Sequence, residues 1–281
     1  MRNDQLTASR ITAFGEHLRR EERAAATIEK YQRNTREFAA WLNGRAMTKE
    51  TVLAWKKRLI AEEASPATVN GKLSALNGLL RFLGREDCCV KLLQLQRRAF
   101  RELGRELDRE EYLRLLDAAR SSGRERLELL MEAICSTGVR VSEVRYLTVE
   151  AARSGRAVIS LKGKVRTILL PGKLCRKLLR YAQKQRIASG EIFLARDGRS
   201  LSRKQIWREM KSLCRAAGVE SGKVFPHNLR HLFAVCFYRV SRDIVKLADV
   251  LGHSSIETTR IYLQTTGAEH ARYLDKLRLI C

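Results

Sequence analysis

Three segments of this chain hold residues that could do chemistry together. Pro226-His227-Asn228-Leu229-Arg230-His231 groups two imidazoles with a guanidinium, and Leu251-Gly252-His253 adds a third imidazole nine positions before Tyr262. Upstream, Thr137-Gly138-Val139-Arg140-Val141-Ser142-Glu143 sets a second guanidinium three residues ahead of a carboxylate. Guanidinium groups are planar, permanently charged and able to grip two oxygens of a phosphate at once. Imidazole donates a hydrogen bond or shuttles a proton near neutrality, and a hydroxyl can act as nucleophile. Such a set suits reaction at a phosphate ester, where positioned cations stabilise the charge that gathers on non-bridging oxygens.

Each fragment alone has a plainer explanation. Arg140 could simply pair with Glu143, His227 and Arg230 could be a structural pair one helical turn apart, and a tyrosine in an amphipathic helix is usually core. His227 and His231 stand at i,i+4, the spacing of a zinc-binding pair, with His253 as a conceivable third ligand. Against zinc, Asn228 stands where a zinc protease carries its catalytic Glu, and Arg230 would set a cation beside the metal.

The bulk composition points to the same partner class. The 281 residues include 55 Lys+Arg against 31 Asp+Glu, a formal charge of +24. Residues 1–105 hold 21 basic and 12 acidic side chains and the remainder 34 and 19, so both halves are basic and both are expected to face phosphate. A polyanion is the expected partner, nucleic acid ahead of an anionic membrane surface. Seven cysteines (Cys88, Cys89, Cys135, Cys175, Cys214, Cys236 and Cys281) form no CxxC pair, which fits a reducing cytosol and no zinc ribbon. No apolar leader or long apolar run occurs, so a soluble cytoplasmic protein is expected.

The elements that must position these residues read as mainly helical, in two domains. Residues 7–95 suggest short-linked helices: Thr27 to Leu42 with a stripe of Ile28, Tyr31, Thr35, Phe38 and Trp41, one capped by Thr48, and one opened by Ser65-Pro66 and stopped at Gly84. That last helix turns Leu73, Leu76, Leu79, Leu80 and Leu83 inward and leaves Asn70, Lys72, Ser74 and Asn77 on its other face. A solvated face explains the polar stripe on spacing alone. Asp108 is expected to cap the first helix of the second domain, and Arg124 to Ser136 forms the next. The one β signal is a hairpin of Ala157–Leu161 and Thr167–Leu170 around Lys162-Gly163-Lys164-Val165-Arg166. Helical patterns resume at Lys173–Gln183, Arg203–Ala217, Asn228–Tyr238 and Arg242–Leu251. Ser254, with Glu257, is expected to cap the helix that bears Tyr262.

Taken jointly and in this order, the Arg140 turn, the His227-to-His231 segment, Leu251-Gly252-His253 and Tyr262 resemble the tyrosine recombinases, the phage integrase and Xer-type family. The resemblance spans nearly the whole chain and is most specific at residues 135–170 and 225–265. It implies a helical DNA core-binding domain at 1–92, a linker at 93–106, and a mixed α+β catalytic domain with a small antiparallel sheet at 107–281. It implies Tyr262 as the nucleophile on a DNA phosphate, leaving a 3′-phosphotyrosyl link and a free 5′ hydroxyl. The protein–DNA ester stores the bond energy, so no ATP, metal or other cofactor is expected. Arg140, Arg230 and His253 would hold the phosphate, and His227 would position groups or move protons. Glu143 would hold Arg140, and His231 would support the site from behind. Lys162, standing before Gly163, matches the general acid for the departing 5′ oxygen, with Lys164 as the alternative.

The same resemblance makes Asn70, Lys72 and Ser74 a DNA-facing surface, joined by linker residues Arg97, Arg98, Arg101 and Arg105 and by Lys164 and Arg166 of the hairpin. It further implies inverted-repeat duplex sites and a homotetramer on two duplexes that exchanges strands through a Holliday junction, in integration, excision or resolution of a mobile element or chromosome, with accessory proteins conceivable. The segment Ala268–Ile280, with Leu274, Leu277 and Ile280, matches a tail that docks on a neighbouring subunit, or packs on its own domain. Two other readings stay open: a topoisomerase IB-like nicking-closing enzyme, and a DNA-binding protein of the same fold that no longer cuts.

Overall fold

The structure is a computed structural model that describes residues 6–62, 64–94, 104, 106–161, 164–263 and 275–277; the side chains of Leu161, Lys164 and Leu263 are outside the description. The chain divides into two compact units, Met1–Arg97 and Arg98–Cys281.

The first unit is built of four helices, α1 (Ala8–Arg20), α2 (Ala25–Leu42), α3 (Lys49–Ala61) and α4 (Pro66–Phe82). Their ends follow local chemistry. The Thr48 hydroxyl accepts from the Thr51 amide and the Thr51 hydroxyl accepts from the Thr48 amide, a reciprocal cap for α3. Ser65 caps α4, and Pro66 fills its first position, where an amide hydrogen has no partner anyway. The core forms where apolar stripes meet: Phe14 of α1, Phe38 of α2, Trp55 of α3, and Leu73, Leu76, Leu79 and Leu80 of α4.

The outer face of α4 differs from the expected free polar stripe. Asn70 donates from Nδ2 to the Leu93 carbonyl (2.9 Å) and accepts the Leu93 amide at Oδ1 (2.7 Å). Two turns on, Asn77 does the same to Val90, at 2.8 and 3.0 Å, and is buried. An asparagine side chain carries the same donor–acceptor pair as a peptide, so these two amides hold the segment 90–93 along the helix as a strand neighbour would. The Asn70 amide, expected at a DNA-facing surface, is thus engaged in an internal clamp. Lys72 is ion-paired with Glu37 and Ser74 is half-buried. Arg97, Arg98, Arg101 and Arg105 lie outside the described residues.

The second unit opens with α5 (Arg109–Ser121), capped reciprocally by Asp108 and Glu111, and α6 (Glu125–Thr137). A 3-10 segment (Val141–Tyr146) and α7 (Val149–Ser154) lead to an antiparallel pair, β1 (Arg156–Leu161) and β2 (Lys164–Leu169). Beyond it come α8 (Gly172–Lys184), α9 (Arg203–Lys211), α10 (Cys214–Ala217), α11 (Pro226–Ser241), α12 (Ile244–Leu251), α13 (Ile256–Arg260) and a 3-10 turn (Ile261–Leu263) that holds Tyr262. The core runs through Leu130 and Ile134 of α6, Ile159 of β1, Leu178 of α8, Met210 of α9 and Leu229 of α11.

Four boundaries differ from the sequence reading. The β1–β2 register pairs Leu161 with Lys164, so Lys164, Val165 and Arg166 belong to the strand and not to the turn. Alternation explains it: Val165 is exposed and Arg166 turns inward to partners described below. The 203–217 helix breaks around Ser212 and Leu213 into α9 and α10. Arg242 ends α11 in the left-handed region (φ 53°), and Asp243 caps α12. Ser255, not Ser254, caps α13 through the Glu257 amide.

The clamp reading of Asn70 gives a direct test. Asn70→Ala removes two hydrogen bonds and should lower stability to denaturant by about 1–3 kcal/mol. The DNA affinity of the folded protein should stay unchanged. Weaker DNA binding at unaltered stability would instead return Asn70 to the DNA surface.

Candidate functional site

The site in the second unit assembles at the C-terminal end of α12. Gly252 ends that helix with φ 61°, a conformation that leaves the last carbonyls turned outward and that side chains other than glycine rarely adopt. Three guanidiniums arrive there from three elements. Arg230 of α11 donates to the Leu251 carbonyl from Nη2 (2.8 Å) and to the Gly138 carbonyl from Nη1. Arg166 of β2 also donates to Leu251, and Arg140, from the turn after α6, reaches the Gly252 carbonyl at 3.2 Å.

Glu143 ties two of the three together. Its Oε1 takes Arg140 Nη1 at 2.9 Å, while Oε2 takes the Arg140 amide at 2.9 Å and Arg166 Nη2 at 2.7 Å. The carboxylate is buried, whereas the Arg140 side chain is 37% exposed. Glycine makes the approach possible at both ends. A Cβ on Gly252 would stand 2.5 Å from Arg166 Nη1, and one on Gly138 would stand 2.5 Å from the Phe233 ring of α11. Burial, then Arg140, pushes the pKa of Arg230 down to about 10, the nearby Tyr262 hydroxyl acting in the opposite sense. It stays charged at neutral pH.

Around this cluster stand three imidazoles and the tyrosine. Tyr262 is 3% exposed, in a small apolar group with Ala234, Leu247 and Leu251. Its ring centroid lies 6.1 Å from that of His227, 5.2 Å from His231 and 5.8 Å from His253. His253 Nε2 is 3.0 Å from Arg230 Nη2, and its Nδ1 is 2.9 Å from the Thr259 hydroxyl. Its pKa is pushed down to about 4, by burial first and then by Arg230, Arg140 and Arg166. His227, on the first turn of α11, keeps solvent contact, and its pKa is lowered by desolvation of its ring and by Arg230. His231 is buried and meets Glu106 at 3.2 Å.

The structure therefore brings Arg140, Glu143, His227, Arg230, His231, His253 and Tyr262 into one place. Lys162 lies outside the described residues, and so does the side chain of Lys164. Arg166, expected among the DNA contacts, points inward, with 17% of its side chain exposed, and braces the hairpin against Glu143 and α12. Asn228, weighed in the zinc alternative, turns inward and donates to the Lys223 carbonyl (2.7 Å). Two participants were missed from sequence. Thr259 is fully buried against His253, and it sits one turn before Tyr262 on the same helical face, a spacing that could have drawn attention to it. The Leu251 and Gly252 carbonyls carry no side-chain signal at all.

Comparison with known proteins follows the same outline. The phage integrase family matches residues 105–269, and the phage integrase N-terminal SAM-like domain matches residues 11–87. Tyrosine recombinase XerC of Pseudomonas aeruginosa is 31% identical over 95% of this chain and 93% of its own length. Tyrosine recombinase XerA of Pyrococcus furiosus is 27% identical over 100% of this chain and 98% of its own. In fold, the chain is similar to a lambda integrase dimer bound to a COC′ core site (TM-score 0.73, 18% identity, 93% of this chain and 96% of that one). It is also similar to XerH recombinase bound to its difH substrate (TM-score 0.68, 19% identity, 97% and 90%).

The lowered histidine pKa values set a pH dependence. Between about 4 and 6.5 an unfolded His253 holds a proton that the folded site refuses, so stability falls as pH drops through that window and rises with pH across it. His227 acts in the same direction. His253→Gln should flatten the slope of unfolding free energy against pH between those values. Equal slopes for the variant and the wild type would show that His253 titrates normally.

Proposed function

The chain belongs to the phage integrase family of tyrosine recombinases, enzymes that cut and rejoin DNA at specific sites, and from that premise we propose that Tyr262 is its nucleophile and Arg140, Arg230, His227 and His253 its phosphate-handling groups. The observation that carries the assignment is the convergence of two guanidiniums, two imidazoles and one tyrosine on the end of α12.

The geometry suits phosphoryl transfer. Arg140 and Arg230 now donate to neutral backbone carbonyls. A phosphodiester oxygen carries charge and accepts charge-assisted hydrogen bonds of roughly twice the strength, so it can displace those carbonyls. Held by both forks, the phosphorus meets the Tyr262 oxygen. The O–P bond to Tyr262 forms as the bond to the 5′ oxygen breaks, and the 3′ side stays linked to the protein. The phenol proton passes to a neutral imidazole, for which His227 is the proposed acceptor, and the 5′ oxygen takes a proton from Lys162 or Lys164 of the hairpin. Rejoining reverses each transfer with a 5′ hydroxyl of the partner strand. A lambda integrase tetramer on a Holliday junction is among the structures this fold resembles, which supports a working assembly of four subunits on two duplexes. Inverted-repeat duplex DNA is the proposed substrate.

Wild type and Tyr262→Phe, each expressed with host genomic DNA and trapped with detergent, test the assignment. Covalent adducts only in wild type, clustered at paired inverted repeats, are expected. Adducts that persist in Tyr262→Phe would remove Tyr262 from the role, and dispersed adducts would favour a nicking-closing enzyme. Arg140→Ala should cut the adduct-forming rate by about 10²–10³-fold, the usual loss when a transition-state donor is removed.

A further inference from the structure

Thr259 has no part in the proposed chemistry, yet its side chain is fully buried and its hydroxyl faces an imidazole. A threonine in a helix commonly returns its hydroxyl to a carbonyl one turn back. Here the described partner is His253 Nδ1, at 2.9 Å.

The proton positions on His253 follow from donor and acceptor inventory. A guanidinium has donors only, so the 3.0 Å contact from Arg230 Nη2 requires a lone pair on Nε2. A neutral ring then carries its hydrogen on Nδ1, and that hydrogen is donated to the Thr259 oxygen. A ring flipped about its axis, or the other tautomer, would set a hydrogen against the guanidinium or leave Nδ1 without its donor bond. Arg230 selects the tautomer, and we propose that Thr259 is a positioning residue that accepts the resulting Nδ1–H and holds the ring in place, so that Nε2 is the nitrogen kept for the reacting phosphate. The inference rests on the recombinase reading for what Nε2 does, but not for the tautomer itself.

The consequence is an ordered exchange. Without DNA, Nε2 accepts from Arg230. When a phosphate takes Arg230 away, Nε2 gains one proton from the hydronium or buffer acid of the solvent, and the imidazolium donates from Nε2 to a phosphate oxygen and from Nδ1 to Thr259. One proton is taken up, and no other bond is made or broken. Thr259 accepts in both states, so the ring does not need to move. The charged and titratable groups that face His253 are Arg230 and His227 of α11, Arg140, Arg166 and the stacked Tyr262, and the first four oppose that proton until the phosphate arrives. Glu143, which pairs with Arg140 and Arg166, offsets part of their charge.

Nitrogen-15 NMR of histidine-labelled wild-type protein without DNA tests the tautomer directly. Nδ1–H is expected at His253, and a ring protonated only on Nε2 would overturn the inference whatever the enzyme does. Single-turnover cleavage of a duplex carrying the site mapped from covalent adducts tests the consequence. Thr259→Val should retain DNA affinity but cleave about 10²-fold more slowly, the scale of loss from a misplaced group. Its pH–rate profile should shift on the acid side, and Thr259→Ser should restore both rate and profile. An unchanged rate and profile in Thr259→Val, or failure of Thr259→Ser to restore them while folded, would refute the positioning role. Absence of adducts in the wild type would count against the recombinase reading and leave the NMR result to decide the tautomer.

Discussion

Three guanidiniums placed within reach of one another repel, and the second unit is arranged around making that tolerable. The outward carbonyls of Leu251 and Gly252 accept from all three of Arg140, Arg166 and Arg230, at a helix end whose aligned peptides favour positive charge. Glu143 supplies the only carboxylate among the described contacts of the cluster, and it serves two arginines with two oxygens. The remaining excess of positive charge is left unbalanced. That excess is what a phosphodiester would neutralise.

The same excess bears on the state of the histidines. Burial first, and then Arg230 for both with Arg140 and Arg166 also for His253, lowers the pKa of His227 and His253 and favours their neutral forms. On the proposed chemistry, binding and protonation would be coupled, since a phosphate that neutralised the arginines would also favour an imidazolium beside them. The backbone shape that allows this depends on two glycines. Gly252 gives Arg166 room beside the helix end, and Gly138 lets α6 close on Phe233 while lending its carbonyl to Arg230. A methyl group at either place would meet a neighbour at 2.5 Å and part the elements that hold the guanidiniums together.

The sequence showed most of the reacting groups because they are side chains at set intervals: Arg140 before Glu143, His227 before Arg230, His253 before Tyr262. It showed helices of both units for a similar reason, since Thr48 and Ser65-Pro66 in the first and Asp108 in the second act on amides within one turn. It misled where a polar residue had a partner distant in the chain. Asn70 looks like a solvent-facing residue of α4 until the segment at Leu93 folds back onto it, and Arg166 looks like a hairpin tip until Glu143 and Leu251 meet it. The Leu251 and Gly252 carbonyls were invisible for a different reason. Every residue has a carbonyl, and only the left-handed end of a helix shows which two are free to accept.

The position of Tyr262 then bears on how the site opens. With 3% exposure, its ring is covered by the apolar ends of α11 and α12 and by the histidines, so a phosphorus atom has little direct path to its oxygen. The element that carries it is slight: α13 has five residues and runs into a 3-10 turn of three, too short for its internal hydrogen bonds to hold it alone. What holds it is side-chain burial, chiefly Tyr262 itself and Thr259 through His253. Arg230 stands at the junction, since it touches His253, supports Leu251 and lies beside Tyr262. A ligand that displaced Arg230 from the Leu251 carbonyl would therefore act on the same side chain that borders both His253 and Tyr262. Under the proposed chemistry, the guanidinium that would meet the phosphate is also the one that borders the proposed nucleophile.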